Sequence, residues 1–463
     1  MYFSIVLGDD IWSQLGGYIF SWQFLQFLVA FVSFFGFVMT SALLLILAER
    51  KVMGWMQDRL GPIHTGPQGL LQTVADAVKL LLKEDVHAAK SDKALFIFAP
   101  SVFLAPIIAA FAVIPLSPYV GLPGITIATG IVYYVAMSSI DVIGVIMAGW
   151  GSNNKYSLMG GLRSAAQMIS YELPLVLALV VVVMLTSALA GTAGYPGNAG
   201  IGTIAISQIQ EFQSVNIWPF KGVPFFDFVF EGFTPWAWFV LVQPLMLVIY
   251  YTCGLAETNR APFDLPEAES ELVAGYLTEY SGLRWAIFFL GEYGNMTIVA
   301  AITTYLFLGG WSGPGVVYLL GLGSPGWGLL GNLLAVAYFI TKIYVLCFVF
   351  IWIRSTLPRL RADQLMQFAW LILIPLTLFN ILLTGIIFLV INSLGLGSWT
   401  SFVFLVVTAI FNWAMLFVFI RIVGRTTLST TRRAQAPAIR AQPKAITALP
   451  APAPERTGIA GGQ

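Results

Sequence analysis

Apolar residues in this chain come in runs, not alternations, and nine windows stand out: about 23–48, 95–115, 125–149, 165–190, 236–256, 285–310, 333–355, 368–391 and 400–423. At roughly 1.5 Å per residue, about 20 apolar residues in a helix match the roughly 30 Å hydrocarbon core of a bilayer. The pattern therefore predicts nine transmembrane helices. Between the first two windows the pattern changes. After Gly66-Pro67, a helix start with proline in its first turn, Leu70, Leu71, Val74, Ala77, Val78 and Leu81 recur at helical spacing. Gln72, Asp76, Lys79 and Lys83 fall largely elsewhere. This predicts an amphipathic helix over 69–84, lying on the membrane interface or walling a cavity into which Asp76 points.

Composition agrees with the pattern. The 463 residues are 58% hydrophobic and 10% charged, against about 25% charged in soluble domains. The expected fold class is an all-α polytopic membrane protein, with about nine transmembrane helices and an amphipathic cytoplasmic helix. Its transmembrane domain covers 1–424. Residues 425–463, largely Ala, Pro, Thr and Arg, are expected to form a disordered cytoplasmic tail. The connection 191–235 is rich in Gly, Pro and aromatics; short interfacial helices are expected there, and no chemistry. No cleavable signal peptide is expected, because the N-terminus lacks Lys and Arg and carries Asp9 and Asp10.

Charge sets the orientation. Of 23 Lys and Arg, 21 fall in the connections after windows one, three, five and seven and in the tail after nine; the exceptions are Lys221 and Lys342. The positive-inside bias puts the N-terminus outside and the C-terminus in the cytoplasm. The two cysteines, Cys253 and Cys347, and the two histidines, His64 and His87, cannot assemble an iron–sulfur cluster, a structural zinc site or a haem site. No phosphate-cradling glycine loop follows a strand. Electrons, if they are involved, must be carried by partners.

Two groups of charges carry the candidate chemistry. The cytoplasmic connection starting ETNRAPFDLPEAESELVAGYLTEY holds six of the 22 acidic residues: Glu257, Asp264, Glu267, Glu269, Glu271 and Glu279. A helix-capable run from Glu267 to Leu277 would set Glu267 and Glu271 one turn apart on one face, where like charges repel. The second group lies inside the apolar windows: Asp141, Glu172, Glu292 and Lys342. Each costs about 2.5–3.5 kcal/mol at a helix centre. Three carboxylates at similar depth above an acidic loop outline a proton path. The plain alternative is packing, with these groups paired to Lys342, Tyr133, Tyr134 or Tyr171. Arg163, Arg260, Arg354, Arg359 and Arg361 gather at cytoplasmic helix ends, where they could neutralise the acidic loop or hold an anionic reduced ligand.

The segments ERKVMGWMQDRLGP (49–62), GLLQTVADAVKLLLKE (69–84), GWGSNNKYSLMGGLRSAAQMISYEL (149–173), ETNRAPFDLPEAESELVAGYLTEY (257–280) and WIRSTLPRLRADQLM (352–366) resemble the H subunit of bacterial NADH:quinone oxidoreductase, respiratory Complex I. Its mitochondrial counterpart is NADH dehydrogenase subunit 1. The resemblance covers about 20 to 392. It implies a subunit that joins a redox arm to a membrane arm, binds no FMN or iron–sulfur cluster itself, and takes quinone as substrate. Implied partners are the iron–sulfur and quinone-site subunits, antiporter-like and small membrane subunits, lipid and quinone. The implied location is the cell inner (plasma) membrane. A quinone tunnel would involve Asp76, Arg163, Arg260, Asp264 and Arg354; a proton route would include Glu172, Glu257, Glu267, Glu269, Glu271 and Glu292. The ninth window and the basic tail inherit nothing, and neither does His64 in GPIHTGP, where the family usually places Asn after the first GP. The homologous membrane subunit of an energy-converting hydrogenase is the nearest alternative, and an ion-coupled transporter the more distant one.

Overall fold

The computed structural model describes residues 22–117, 128–190, 195, 202–214, 237–265, 273–321, 325–395 and 399–441. The longer helices are α1 (Trp22–Met56), α2 (Gln72–Leu82), α3 (Lys93–Ala110), α4 (Gly130–Gly151) and α5 (Lys155–Leu189). The short α6 (Ile206–Gln213) and α7 (Phe239–Val242) lead to α8 (Pro244–Glu257) and α9 (Gly282–Phe307). The chain continues through α10 (Val316–Gly321), α11 (Pro325–Thr356), α12 (Ala362–Gln367), α13 (Ile374–Ser393) and α14 (Thr400–Ala441). Among the described residues, eight helical stretches are long and apolar enough to cross a membrane. The fifth expected span differs: it is a 14-residue helix, α8, preceded by α7 and a break at Gln243. Pro244 removes a backbone donor at the start of α8, so the helix begins afresh there.

A protein-filled centre allows one helix to be polar. Every residue of α9 from Gly291 to Phe307 is buried, among them Glu292, Asn295, Thr297, Thr303 and Thr304. It is also the least hydropathic of the eight spans. Surrounded by other helices instead of lipid, α9 can hold polar side chains that lipid would penalise. Close approach depends on two glycines. A Cβ at Gly144 of α4 would come within 2.7 Å of the Phe103 backbone nitrogen in α3, and one at Gly160 of α5 within 2.5 Å of Gly275 Cα. The stretch from α12 to α13 is joined through a π-helical turn, Phe368–Leu373, just before Pro375, whose missing N–H breaks the regular ladder.

The amphipathic helix forms as α2 over Gln72–Leu82, after a short 3-10 turn at Pro67–Gly69. Val74, Val78, Leu81 and Leu82 are exposed, while Thr73 is buried and Asp76 half-buried. Asp76 lines a cavity between α1, α2 and the start of α9, while the apolar face of α2 stays exposed. The helix expected from Glu267 to Leu277 does not form in its described part: Val273 and Gly275 take φ of 65° and 55°, and Gly275–Leu277 is a single 3-10 turn. Positive φ at two residues so close together ends any α-helix. Glu267, Glu269 and Glu271 lie outside the described residues.

A buried ladder of amides and hydroxyls fastens the start of α14. Gln243 Nε2 donates to Thr384 Oγ1 (3.3 Å), Thr384 Oγ1 to Asn380 Oδ1 (3.3 Å), and Asn380 Nδ2 to Asn412 Oδ1 (2.6 Å). The chain divides into two units, 1–412 and 413–463. Within the second, Arg421 places its guanidinium 4.4 Å from the centre of the Phe417 ring. The helix runs to Ala441, so residues 425–441 of the expected disordered tail are helical. An Ala-, Gln- and Arg-bearing segment that extends an existing helix needs no new nucleus. Residues 442–463 lie outside the described part.

Candidate functional site

The site has three parts. The first is an apolar chamber of about 270 Å³ between α1, α2 and α9. Met39, Leu43 and Ile46 face Ala77, Leu80 and Phe289 across it. Its polar feature is Arg50 Nη1, which donates to Asp76 Oδ2 and so links α1 to α2. Gln72 Nε2 holds the other Asp76 oxygen at 3.1 Å.

The second part is a charge cluster one layer deeper. Arg260, just beyond the end of α8, lies 3.4 Å from Glu49 Oε2 and 3.7 Å from Glu292 Oε2. All three side chains are about 5% exposed or less. Arg354, from the end of α11, pairs with Glu49 Oε1. Tyr293 donates to Glu49 Oε2 (2.6 Å) and lies flat under Arg260, whose guanidinium carbon is 4.2 Å from the ring centre. Tyr276 Oη donates to Glu292 Oε1 at 3.3 Å. Two carboxylates thus face two arginines, with hydrogen bonds filling further sites, which is the condition for burying such charges. Phe289 belongs to both parts: it lines the chamber, packs on Tyr293 at 5.1 Å between ring centres, and lies 5.9 Å from Arg260.

The third part gathers acids without an arginine in contact among the described residues. Asp141 of α4, Glu172 of α5 and Glu257 of α8 lie close enough to interact electrostatically. Ser139 donates to Glu172 Oε1, and Asn295 Nδ2 donates to Asp141 Oδ2 at 3.3 Å. Asp141 Oδ1 and Glu257 Oε2 are buried with no hydrogen-bond partner among the described residues. Beside them Tyr134 and Tyr250 share a hydroxyl contact of 3.1 Å. Asn295 stands three residues along α9 from Glu292, so one face of that helix bridges the paired cluster and the unpaired one.

The turn that carries Arg260 is held from below. Gln167 Nε2 of α5 donates to the carbonyls of Ala256 (2.7 Å) and Phe263 (2.6 Å), and Arg359 Nη2 donates to Asp264 Oδ2 (2.6 Å). Leu360 N donates to Pro262 O (3.0 Å). These contacts fix the backbone from which Arg260 reaches its two carboxylates.

Residues 29–385 match the family model described as NADH dehydrogenase. The chain belongs to this NADH dehydrogenase family. It is 42% identical over 371 residues to an H subunit of NADH-quinone oxidoreductase from Geobacter sulfurreducens, covering 76% of this chain and 92% of that one. It is 44% identical over 363 residues to the H subunit of Brevibacillus brevis (78% and 93%). With the H subunit of Bacillus cytotoxicus the identity is 45% over 343 residues (74% and 88%). The family match ends before α14 begins.

In this member of the family the fold brings together Arg260, Arg354 and Glu292, and separately Asp141, Glu172 and Glu257. The sequence pattern grouped Asp141, Glu172 and Glu292 by depth; the fold instead gives Glu292 to the arginines and puts Glu257 in its place. Asp76 reaches the chamber and Asp264 its own arginine. Arg163 is half-buried on α5. Lys342 joins neither cluster: its partners are carbonyls. Tyr133 and Tyr171 donate to the carbonyls of Ala109 (3.3 Å) and Leu365 (2.9 Å), not to carboxylates. Glu49, Tyr276 and Tyr293 were not singled out from sequence. Glu49 sits one residue past the first apolar window, and only the continuation of α1 to Met56 shows that it is still inside the helix bundle.

Proposed function

We propose that this chain is the membrane subunit of a proton-pumping NADH:quinone oxidoreductase. In this role it admits quinone from the bilayer and turns quinone reduction into movement of protons among buried carboxylates. The observation that carries the reading is Phe289, a single side chain that forms a wall of the apolar chamber and also packs against the Arg260–Glu49–Glu292 cluster. A quinone's isoprenoid tail and ring suit an apolar, largely preformed chamber with few polar groups. Arg50 and Asp76 supply the hydrogen-bonding end.

Reduction of a quinone to quinol takes two electrons and two protons. The electrons come from an iron–sulfur subunit of the redox arm, since two isolated cysteines offer no cluster ligation. Negative charge arriving next to the arginines competes with Glu49 and Glu292 for them. With Arg260 shared between Glu292 and the new anion, Glu292 loses part of its counter-charge. Asn295 passes the change to Asp141, whose carboxylate already repels those of Glu172 and Glu257. Protons then shift within that group as a unit. Glu267, Glu269 and Glu271 would feed the group from the cytoplasmic side, with the C-terminus on that side and the N-terminus outside. The antiporter-like subunits would receive the step laterally.

The test uses the assembled complex in sealed vesicles. Glu292→Gln and Glu271→Gln should slow quinone-linked proton uptake at least about tenfold, within the range for removing a proton-transfer group. NADH oxidation by an artificial acceptor that takes electrons before quinone should stay unchanged. Proton uptake at wild-type rates in both variants would refute the assignment. Insensitivity of the purified complex to quinone-site inhibitors would favour the energy-converting hydrogenase reading.

A further inference from the structure

Lys342 stands at the middle of α11, apart from both carboxylate clusters, and its surroundings are unlike theirs. Its Nζ donates to three backbone carbonyls: Leu308 (2.8 Å), Gly310 (2.9 Å) and Ser312 (2.8 Å). The indole of Trp238 lies against the same ammonium, 4.5 Å from ring centre to Nζ. An ammonium has three N–H donors. All three are used, each by a neutral oxygen, and a further side is covered by an aromatic face that favours a cation. No carboxylate is among its partners in the described residues.

The three carbonyls belong to one place, the turn that leaves α9 at Phe307. They lie just past its last helical residue, beside the final C=O groups that have no partner within the helix and carry the negative end of its dipole. A second side chain serves the same end. Gln213 Nε2 of α6 donates to the carbonyl of Tyr305 (2.8 Å), and Gln213 Oε1 accepts from Gly309 N (3.1 Å). Gly309 and Gly310 take φ of 70° and 58°, which lets this turn fold its carbonyls back toward Lys342. The opposite half of α9 carries Phe289, Glu292 and Asn295, the residues that join the chamber to the two acid clusters.

We propose that Lys342 is a positioning residue, a fixed positive charge that caps the far end of α9 and so sets where Glu292 and Asn295 stand against Arg260 and Asp141. This rests on the proton-handling role given above to those residues. It also removes Lys342 from the set of proton carriers. A group whose three donors are all held by backbone oxygens has no acid or base in contact among the described residues with which to exchange a proton.

Three variants in the assembled complex test it. Lys342→Arg keeps a permanent charge that cannot release a proton, and should retain quinone-linked proton uptake within about twofold. Lys342→Met removes the charge and leaves buried carbonyls unsatisfied, and should lower uptake about tenfold. Lys342→Ala opens a carbonyl-lined space the size of a small alkylammonium; ethylammonium added to the vesicles should restore part of the lost rate, and tetramethylammonium, which has no N–H, should not. If Lys342 instead relays protons, Arg and Met fail equally, and the proposal is overturned. Wild-type behaviour of the Met variant overturns it as well. A double variant separates this from the underlying reading. With Glu292→Gln present, Lys342→Met should add little further loss, because both act through the same helix. Full additivity would place the effect of Lys342 outside α9 and overturn the proposal, whereas a Glu292→Gln variant that pumps normally would sink the proton-path reading first.

Discussion

Two buried groups of carboxylates lie side by side in this molecule and are built on opposite rules. Around Glu49 and Glu292, Arg260 and Arg354 supply counter-charge, and Tyr276 and Tyr293 complete the hydrogen bonding. Around Asp141, Glu172 and Glu257 the contacts are Ser138, Ser139, the Val142 backbone, Asn295 and a nearby tyrosine pair. Two carboxylate oxygens there are left without a hydrogen-bond partner among the described residues. The first arrangement favours charge that stays. The second leaves acids beside one another with no cation in contact among the described residues, the arrangement that the proton path proposed above requires. The contrast teaches that compensated and uncompensated charge can be buried side by side when packing sets a boundary between them. Here that boundary is one face of α9.

The contrast can be broken most sharply at Arg260. Arg260→Leu leaves Glu292 without its cation and should cost about 3–5 kcal/mol, the usual penalty for removing one partner of a buried ion pair. Loss of assembled complex, or a lower midpoint in thermal inactivation, would report it. Adding Glu292→Leu should recover part of the loss, since Arg354 still faces Glu49. A fully stable Arg260→Leu complex would mean that the cluster is not compensated as described.

Glu257→Gln tests the other side. Removing an uncompensated acid relieves desolvation and repulsion, so stability should hold or rise by about 1 kcal/mol while proton uptake falls at least about tenfold. Thermal inactivation and vesicle uptake on one preparation separate the two effects. A destabilised Glu257→Gln would place this residue with the structural pairs. Tyr134→Phe, which loses the hydroxyl contact to Tyr250, is expected to cost about 1 kcal/mol, seen in the same melting assay.

The smallest effect belongs to the chamber. Arg50 and Asp76 have side chains 43% and 33% exposed, so Asp76→Asn should change stability by less than about 1 kcal/mol. It should raise the KM for a short-tailed quinone with little change in kcat, as expected when ground-state binding alone is weakened. Steady-state kinetics over a range of quinone concentrations would decide.

Much of this was legible in the residues alone. Length and purity of the apolar runs predicted the spans, because a bilayer sets helix length by thickness. The two exceptions are instructive. The window at 236–256 is interrupted at Gln243, where a hydrogen bond to Thr384 draws the chain into a tertiary ladder. The stretch after Glu267 reads as helix in its composition, yet its described end turns at Val273 and Gly275 because Gly275 packs against Gly160. Sequence depth alone grouped Glu292 with Asp141 and Glu172, since helix length measures distance along an axis and says nothing about which way a side chain faces.

What the residues determined by themselves was the inventory: membrane helices, an acid-rich loop between apolar runs, buried charges whose cost demanded a reason, and motifs specific enough to name a family. Those are local or compositional properties, carried by each segment wherever it sits. What only the tertiary structure decided was the pairing. Whether a carboxylate meets an arginine, another acid or an amide depends on contacts between Glu49 and Arg260, or Asp141 and Asn295, that lie more than 150 positions apart in the chain. No period or window length can encode such a meeting; packing of α9 against its neighbours creates it.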